Sequence, residues 1–464
     1  MNKYIFVFLF MLPVWVFAQK NERQDSVRQF KKRVLENVEI DFLTSFYTQD
    51  GDRAAVTGGI GTEELDDFVL SFVTSIPLND DDVLTIDATV SAYTSASSSN
   101  IDPFDVSGAS SNGSQDDDDD DDDDENLRDY KVNGRVSPYQ ATSGASKSDS
   151  WKRLSVGYAH SSEDRNTVWS GNIAFSTEYD YRSFGFGGSL TKLFNQKNTA
   201  VSVKGNVYLD TWNPQYPSEL LYYDNDGLRS PFFLANPITG NTNYKPVYSK
   251  FPDRSRNSYS AGLSFSQILS KNMQAIFLVD FVRQKGLLST PYQRVYFRDV
   301  ANSYLNGFHL ADAVERLPDT RTKIALGGRW NWFVNEYFVF RTFYRYYSDD
   351  WGISSHTVSL EVPVKIADAW TVYPSFRFYS QTEADYYAPY DELQSASEFY
   401  TSDSDLSAYN AGQYGFGVTY KDIFTRLRIW KFGLKSLDLK FLNYQRDTEF
   451  RAFSVALGLK FVLD

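Results

Sequence analysis

From residue 38 onward the chain alternates apolar and polar side chains in segments of about ten residues. Val38, Ile40, Phe42, Thr44 and Phe46 share one parity, as do Phe68, Leu70, Phe72, Thr74 and Ile76, and then Leu84, Ile86, Ala88, Val90 and Ala92. A period of two places alternate residues on opposite faces of a β-strand. The pattern recurs sixteen times, down to Phe453, Val455, Leu457, Leu459 and Phe461 near the C-terminus.

Connection lengths separate a membrane barrel from a soluble β-sandwich. The turns expected at 77–82, 162–166, 195–198, 270–272, 334–336 and 367–369 are short, whereas the alternate connections at 48–65, 95–150, 213–257, 286–321 and 382–412 are among the longest; only 422–435 breaks the rule. Short periplasmic turns alternating with long external loops mark an outer-membrane barrel with an even strand number. The expected fold is therefore all-β, a transmembrane antiparallel up-and-down β-barrel of about 16 strands occupying residues 34–464. Aromatic residues at strand ends, Trp330, Trp332, Tyr337 and Trp370 at one end and Tyr47, Tyr93, Trp212 and Trp351 at the other, are expected to form interfacial girdles.

Composition supports this reading. Aromatic residues make up 17% of the 464, with 32 Tyr and 36 Phe, an excess that belongs to strands. There are no cysteines, which excludes disulfides, thiolate metal sites and Cys nucleophiles together. Residues 1–18, MNKYIFVFLFMLPVWVFA, have one cation, an apolar stretch and a small residue at the end, the layout of a signal peptide removed after Ala18. A polar segment, 19–33, follows and is expected in the periplasm.

Net charge is −14, but residues 116–124 are all aspartate, leaving −5 for the rest of the chain. With no basic patch, nucleic acid is not an expected partner. The acidic run lies in the external loop 96–149. A block of like charges is expected to be solvated and self-repelling. Asp116, Asp118, Asp120, Asp122, Asp124 and Glu125 also offer hard oxygen ligands for weak, multivalent capture of Ca²⁺, bridging to lipopolysaccharide, although no glycine or spacer shapes a specific site. A basic partner is the third possibility. The first long loop, with Asp50, Asp52, Glu63 and Glu64 among glycines, reads as a compact structured loop, with a metal or ligand site as the alternative.

The same alternation places charged residues on the inner face. Lys204, Asp280, Arg341, Arg345, Glu361, Arg377 and Lys440 each sit out of phase with the apolar row, where a Lys or Arg facing lipid at mid-membrane would cost about 2–4 kcal/mol. They either line a water-filled channel or pair across a filled lumen. Three histidines exist; only His356, near Asp349, Asp350, Ser354 and Ser355, invites a Ser/His/Asp reading, and tight turns use those residue types in any case. No catalytic residue is expected.

The stretches FYTQDGDRAAVTGGIGTEEL, SAYTSASSSNIDP, RNSYSAGLSFSQI, RVYFRD, YRYYSDDWGISSHT and EFYTSDSDLS resemble those of an uncharacterised Gram-negative outer-membrane family, domain-of-unknown-function family 3570. The resemblance runs through nearly the whole mature chain and implies an outer-membrane barrel exported by the Sec route and inserted by the barrel assembly machinery. It supplies no substrate or catalytic residue. Genes of the family often neighbour those for a thioredoxin-like protein, a small lipoprotein and an FAD:protein FMN transferase, which implies a setting of envelope flavin and thiol redox work. Two functions follow as expectations. The first is a pore or transport component for small solutes or ions, without a resident cofactor. The second is a non-conducting docking barrel that binds an envelope protein partner.

Overall fold

The computed structural model describes residues 33–94, 149–214, 216–422 and 424–463. Sixteen antiparallel strands form one closed sheet. In chain order the barrel strands are β1 Val38–Asp50, β2 Leu65–Pro77, β3 Asp82–Tyr93, β4 Asp149–Ser161, β5 Thr167–Thr177, β6 Tyr181–Phe194, β7 Thr199–Trp212 and β8 Arg256–Ser270. They continue as β9 Met273–Gly286, β10 Thr320–Phe333, β11 Val339–Asp349, β12 Ser354–Glu361, β13 Trp370–Gln381, β14 Tyr409–Lys421, β15 Phe432–Arg446 and β16 Arg451–Leu463. Each pairs with its sequence neighbour, and β1 closes on β16 from Val38↔Leu463 to Asp50↔Arg451. Closure satisfies every strand edge, the condition for crossing lipid with strands.

The apolar parity faces out. Phe46, Phe72, Ile173, Phe186, Phe277, Leu326, Val358 and Phe416 are all exposed, which for a soluble protein would be an uncovered hydrophobic surface and for a barrel is the lipid band. Trp330, Trp332, Tyr337 and Trp370 are exposed at the end bearing the short turns, as a girdle requires.

The other expected girdle does not form. Tyr93, Trp212 and Trp351 are buried, and Tyr47 donates to Gln49 beside it. All but Trp351 lie on the parity opposite to the outward row, as Tyr47 alternates with Phe46 and Trp212 follows Thr211. Tyr93 donates to Glu178 at 2.7 Å, Trp212 to Asp180 at 2.9 Å and Trp351 to the carbonyl of Thr320 at 2.9 Å. Parity decides between lipid and lumen for Tyr47, Tyr93 and Trp212, whereas Trp351 lies in the turn beyond β11 and is buried by loop packing.

Two other details depart from the expected strands. The strand expected to run up to the turn at 367–369 stops at Glu361 and resumes only as Val364–Lys365. Pro363 has no N–H to offer the ladder; its carbonyl accepts from Val339 instead. The long turn 422–435 is partly a β-ribbon, with Arg428↔Gly433 and Ile429↔Phe432 paired.

The long external connections fold into a body of their own. It contains α1 Ser218–Asp226, α2 Pro231–Ala235, a small sheet of Ile238–Gly240, Ser303–Leu305 and Phe308–His309, and a pair Arg294–Val295 with Ala313–Val314. Bridges Phe297↔Leu393, Arg316↔Tyr400 and Val247↔Ala313 tie different loops together. A core of Leu220, Phe233, Tyr244, Leu305, Leu310 and Val314 fills it. Further clusters join loop residues to the inner face of the wall: Trp351, Leu288, Leu317 and Leu406 with Tyr347, and Leu287 and Tyr292 with Tyr181 and Trp212. The loops thus form a packed roof seated on inward-facing aromatics at the external rim.

Candidate functional site

The charged residues beneath this roof arise from strand alternation. On β11, Phe340, Thr342, Tyr344 and Tyr346 share the outward parity, leaving Arg341, Arg345 and Tyr347 on the inner face. On β7 and β9 the same rule turns Lys204 and Asp280 inward, opposite Val203 and Phe281.

Asp280 is a hub: Lys204 Nζ lies 3.1 Å from one carboxylate oxygen and Arg345 Nη2 lies 3.8 Å from the other. These residues come from β7, β9 and β11, so two strands intervene. Both present small residues at the crossing: Gly262 sits between Lys204 and Asp280, and Ala325 and Gly327 sit between Asp280 and Arg345. A Cβ on Gly262 would stand 2.7 Å from Asp280 Oδ1 and closer still to the Lys204 chain, so the bare backbone is what lets the lysine lie across. Arg341 pairs directly with Glu361 across β11 and β12, at 2.8 Å.

Arg377 and Lys440 have no ion-pair partner among the described residues. Arg377 is exposed and borders a recess with Tyr379, Tyr409, Ala411, Gln413 and Tyr444, on the inner faces of β13, β14 and β15. Lys440 stands on β15 opposite Gly417. Inside a closed barrel, the Lys204 side chain is still 60% exposed and that of Arg341 54%, so the wall at these positions borders open space rather than packed protein.

Alternation also identifies inner-face residues that the sequence reading passed over. Glu39 and Asp41 on β1 meet Lys460 of β16 at 2.8 and 3.4 Å, and Lys435 reaches Glu39 at 2.5 Å. This cluster crosses the seam where the first and last strands close. Asp438 holds Tyr373 at 2.6 Å, and Arg329 lies over the Phe343 ring. Glu39, Asp41, Asp438 and Lys460 each stand between two outward apolar neighbours, as do Asp280, Glu361, Arg377 and Lys440; Lys435 and Arg329 adjoin Ser436 and Gly328 and carry a weaker signal.

The roof holds the most buried charges. Glu219 of α1 receives both Nε and Nη2 of Arg294, at 2.6 and 3.1 Å, with the two side chains 0% and 1% exposed. Arg294 also donates to the carbonyl of Val56 at 3.2 Å, which ties the first long loop to the rest. That loop is compact, as read from its glycines: Gly58, Gly59 and Gly61 adopt left-handed backbone, open to glycine without a Cβ clash. Its Glu63 is buried beside Asp403, Asp405 and Arg446. Burial, followed by the repulsion of Asp405, raises the Glu63 carboxyl to about 7.

Among the described residues no cluster of three or more His, Asp or Glu side chains is arranged to hold a metal ion. Asp116, Asp118, Asp120, Asp122, Asp124 and Glu125 lie outside the described residues. The Ser/His/Asp arrangement around His356 does not assemble. His356 faces outward, taking a 2.9 Å hydrogen bond with the Tyr344 hydroxyl and packing on Tyr346. Asp349 is turned inward to Arg321 and Tyr347, and Asp350 accepts from the Thr322 N–H.

A family model described as "Protein of unknown function (DUF3570)" matches residues 9–449. No curated protein matches the chain. Solved structures similar in fold include a bacterial polysaccharide outer membrane secretin, at 10% identity over 92% of this chain and 99% of that one, with a TM-score of 0.41. OpdK of Pseudomonas aeruginosa, solved with vanillate, is 7% identical over 92% and 99%, with a TM-score of 0.37. The ferric enterobactin receptor PfeA of the same organism is 11% identical over 89% of this chain, with a TM-score of 0.41; the chain spans 55% of that receptor's length.

Proposed function

The chain belongs to the family of proteins of unknown function DUF3570, and on that footing we propose that it is a selective outer-membrane pore for small solutes or ions, with access set by the external roof. The observation that carries this reading is the charged inner wall bordering open space, with Lys204 and Arg341 more than half exposed inside a closed barrel. Buried charges that merely filled the lumen would be desolvated and fully paired; here Arg377 and Lys440 lack ion-pair partners among the described residues. A mixed-charge, water-lined wall can discriminate solutes by charge and size. The packed roof distinguishes this barrel from an open sieve.

The roof also favours a second reading. A loop body with its own hydrophobic core could serve as a docking platform on a silent barrel, engaging an envelope partner of a flavin or thiol redox system. Conductance separates the two. The refolded mature protein in a planar bilayer is expected to give small, gated steps. A variant with residues 289–318 replaced by a short Gly/Ser linker is expected to conduct several-fold more, since pore resistance falls as a constriction is removed. Silence in both proteins, with the barrel folded by heat-modifiable electrophoretic mobility, would favour the docking platform. Adding millimolar Ca²⁺ tests the aspartate run: a response lost on deleting residues 116–125 would assign it weak cation capture.

A further inference from the structure

At the end bearing the short turns, the chain between β14 and β15 forms a ribbon with large apolar side chains in the open. Trp430 is 81% exposed, Phe424 73% and Ile429 68%. The ribbon is ordered by its own hydrogen bonds. Asp422 is buried and accepts from the Leu427 N–H at 2.9 Å, its own N–H donates to the carbonyl of Lys435 at 3.0 Å, and Leu434 donates to Leu427 at 2.8 Å. Trp430 occupies the first position of the two-residue turn and has φ of 57°. Left-handed backbone is unfavourable for a bulky side chain and natural for glycine, so placing a tryptophan there carries a strain that the ribbon's internal contacts do not explain.

Register gives the direction of the ribbon. Ile429 opposes Phe432, Phe432 opposes Leu463, and Leu434 opposes Phe461, which in turn opposes Ile40. Leu427, Ile429, Phe432 and Leu434 therefore continue the lipid-facing row beyond the last regular strand pairs. Basic residues run through the same stretch: Arg426 lies over the Phe424 ring at 5.3 Å and Lys431 over the Trp430 ring at 5.6 Å, with Arg428 between them. Aromatic and aliphatic side chains on one face with cations beside them is the chemistry of a segment lying in the membrane interface, and clustered Lys and Arg there attract anionic headgroups.

We propose that the ribbon from Phe424 to Lys435 is an interfacial foot that binds anionic phospholipid of the leaflet at the short-turn end, with Leu427 and Ile429 at the acyl boundary, Trp430 at headgroup level, and Arg426, Arg428 and Lys431 on the phosphates. Continuity with the exposed Trp370, Trp330 and Trp332 girdle and the absence of any acidic residue from 423 to 435 select a lipid surface over a protein partner. The proposal does not depend on whether the lumen conducts.

The chain's lack of cysteine permits a direct test. The full mature barrel carrying Ile429→Cys, labelled with an environment-sensitive fluorophore, is refolded into phosphatidylethanolamine vesicles with or without phosphatidylglycerol. Leu234→Cys, equally exposed but on the external helix α2, is the water-facing control. The label at 429 is expected to be quenched by lipid-borne spin labels and to be about threefold less accessible to aqueous iodide than the label at 234. This shielding should deepen with phosphatidylglycerol, a dependence expected to vanish in Arg426→Gln/Arg428→Gln. Trp430→Gly, which relieves the turn, is expected to reduce the shielding although it favours the backbone. Equal iodide access at 429 and 234 would overturn the proposal. So would shielding indifferent to phosphatidylglycerol, or shielding that appears only when periplasmic protein is added.

Discussion

Glu219→Ala is expected to open the external roof and leave the barrel standing. The substitution strands the Arg294 guanidinium in a site where it is 1% exposed, and removing one member of a buried pair is worth about 3–5 kcal/mol because the remaining charge is uncompensated. Arg294 donates to Glu219 through two nitrogens, to the Val56 carbonyl, and lies over the Phe308 ring at 5.1 Å. Its displacement therefore loosens α1, the first long loop and the small sheet together. Limited trypsin digestion should cut at Arg294, Arg298 and Arg316 several-fold faster in the variant than in the parent, where Arg294 is buried and Arg316 is held by backbone hydrogen bonds to Tyr400, with unchanged heat-modifiable mobility of the barrel. Glu219→Leu with Arg294→Met is expected to recover most of the protection, since apolar replacements of buried pairs are often neutral. A single variant as resistant as the parent would show that the pair does not hold the roof.

The second large effect is on pH. Glu63, Glu315, Asp403 and Asp405 converge where the first, fourth and fifth long loops meet. Burial raises Glu63 and Glu315 to about 7. Asp403 is pushed well above the usual carboxylate range by burial and by Asp405 and Glu315, and Asp405 is raised by burial against the opposing pull of Arg446, 2.7 Å away. Asp312, in the fourth long loop, is raised to about 6, chiefly by burial. Other groups facing the cluster include the Arg53 N–H on Glu63 and Thr401 and the Thr290 N–H on Glu315.

A carboxyl whose folded-state value lies above its unfolded value binds its proton more tightly when folded. Its contribution is complete below the unfolded value and is lost as pH rises through the folded one. The roof should therefore be most stable below about pH 4 and loosen progressively between about pH 4.5 and 7 as these carboxyls ionise. A displacement of this size is worth on the order of 3 kcal/mol for one isolated group, and the contributions of neighbours are not additive. Hydrogen exchange across 287–319 and 382–408 should speed up over that window while the strands stay protected. Glu315→Gln, which fixes the neutral form, should flatten the profile. A roof that becomes more protected as pH rises would reverse the sign and sink this account.

Much of the barrel was legible because one rule governs it. A strand whose two faces meet lipid and lumen must alternate, so Val38 to Phe46 and Phe453 to Phe461 declare themselves without reference to any distant residue. Parity likewise placed Lys204, Asp280, Arg341, Arg345, Glu361, Arg377 and Lys440 on one side of the wall. The same rule, had it been applied to Tyr47, Tyr93 and Trp212, would have turned those three away from lipid. The break at Pro363 was legible too, since proline's missing N–H is a local fact.

What alternation could not supply is which charge meets which. Lys204 reaches Asp280 across the bare backbone of Gly262, a consequence of register between strands far apart in sequence. The roof is further still from local reading. Arg294, Glu219 and Val56 belong to three different connections, and neither an apolar loop nor a lone arginine reveals its partner when the contact is made by packing rather than by period. The sequence by itself determined the number of strands and the two faces of the wall, because a strand with lipid on one side and lumen on the other must alternate and a spanning sheet must close. Tertiary structure alone decided that the mouth carries a cored, buried-charge roof, because burial and ion pairing there depend on distances between segments that no periodicity encodes.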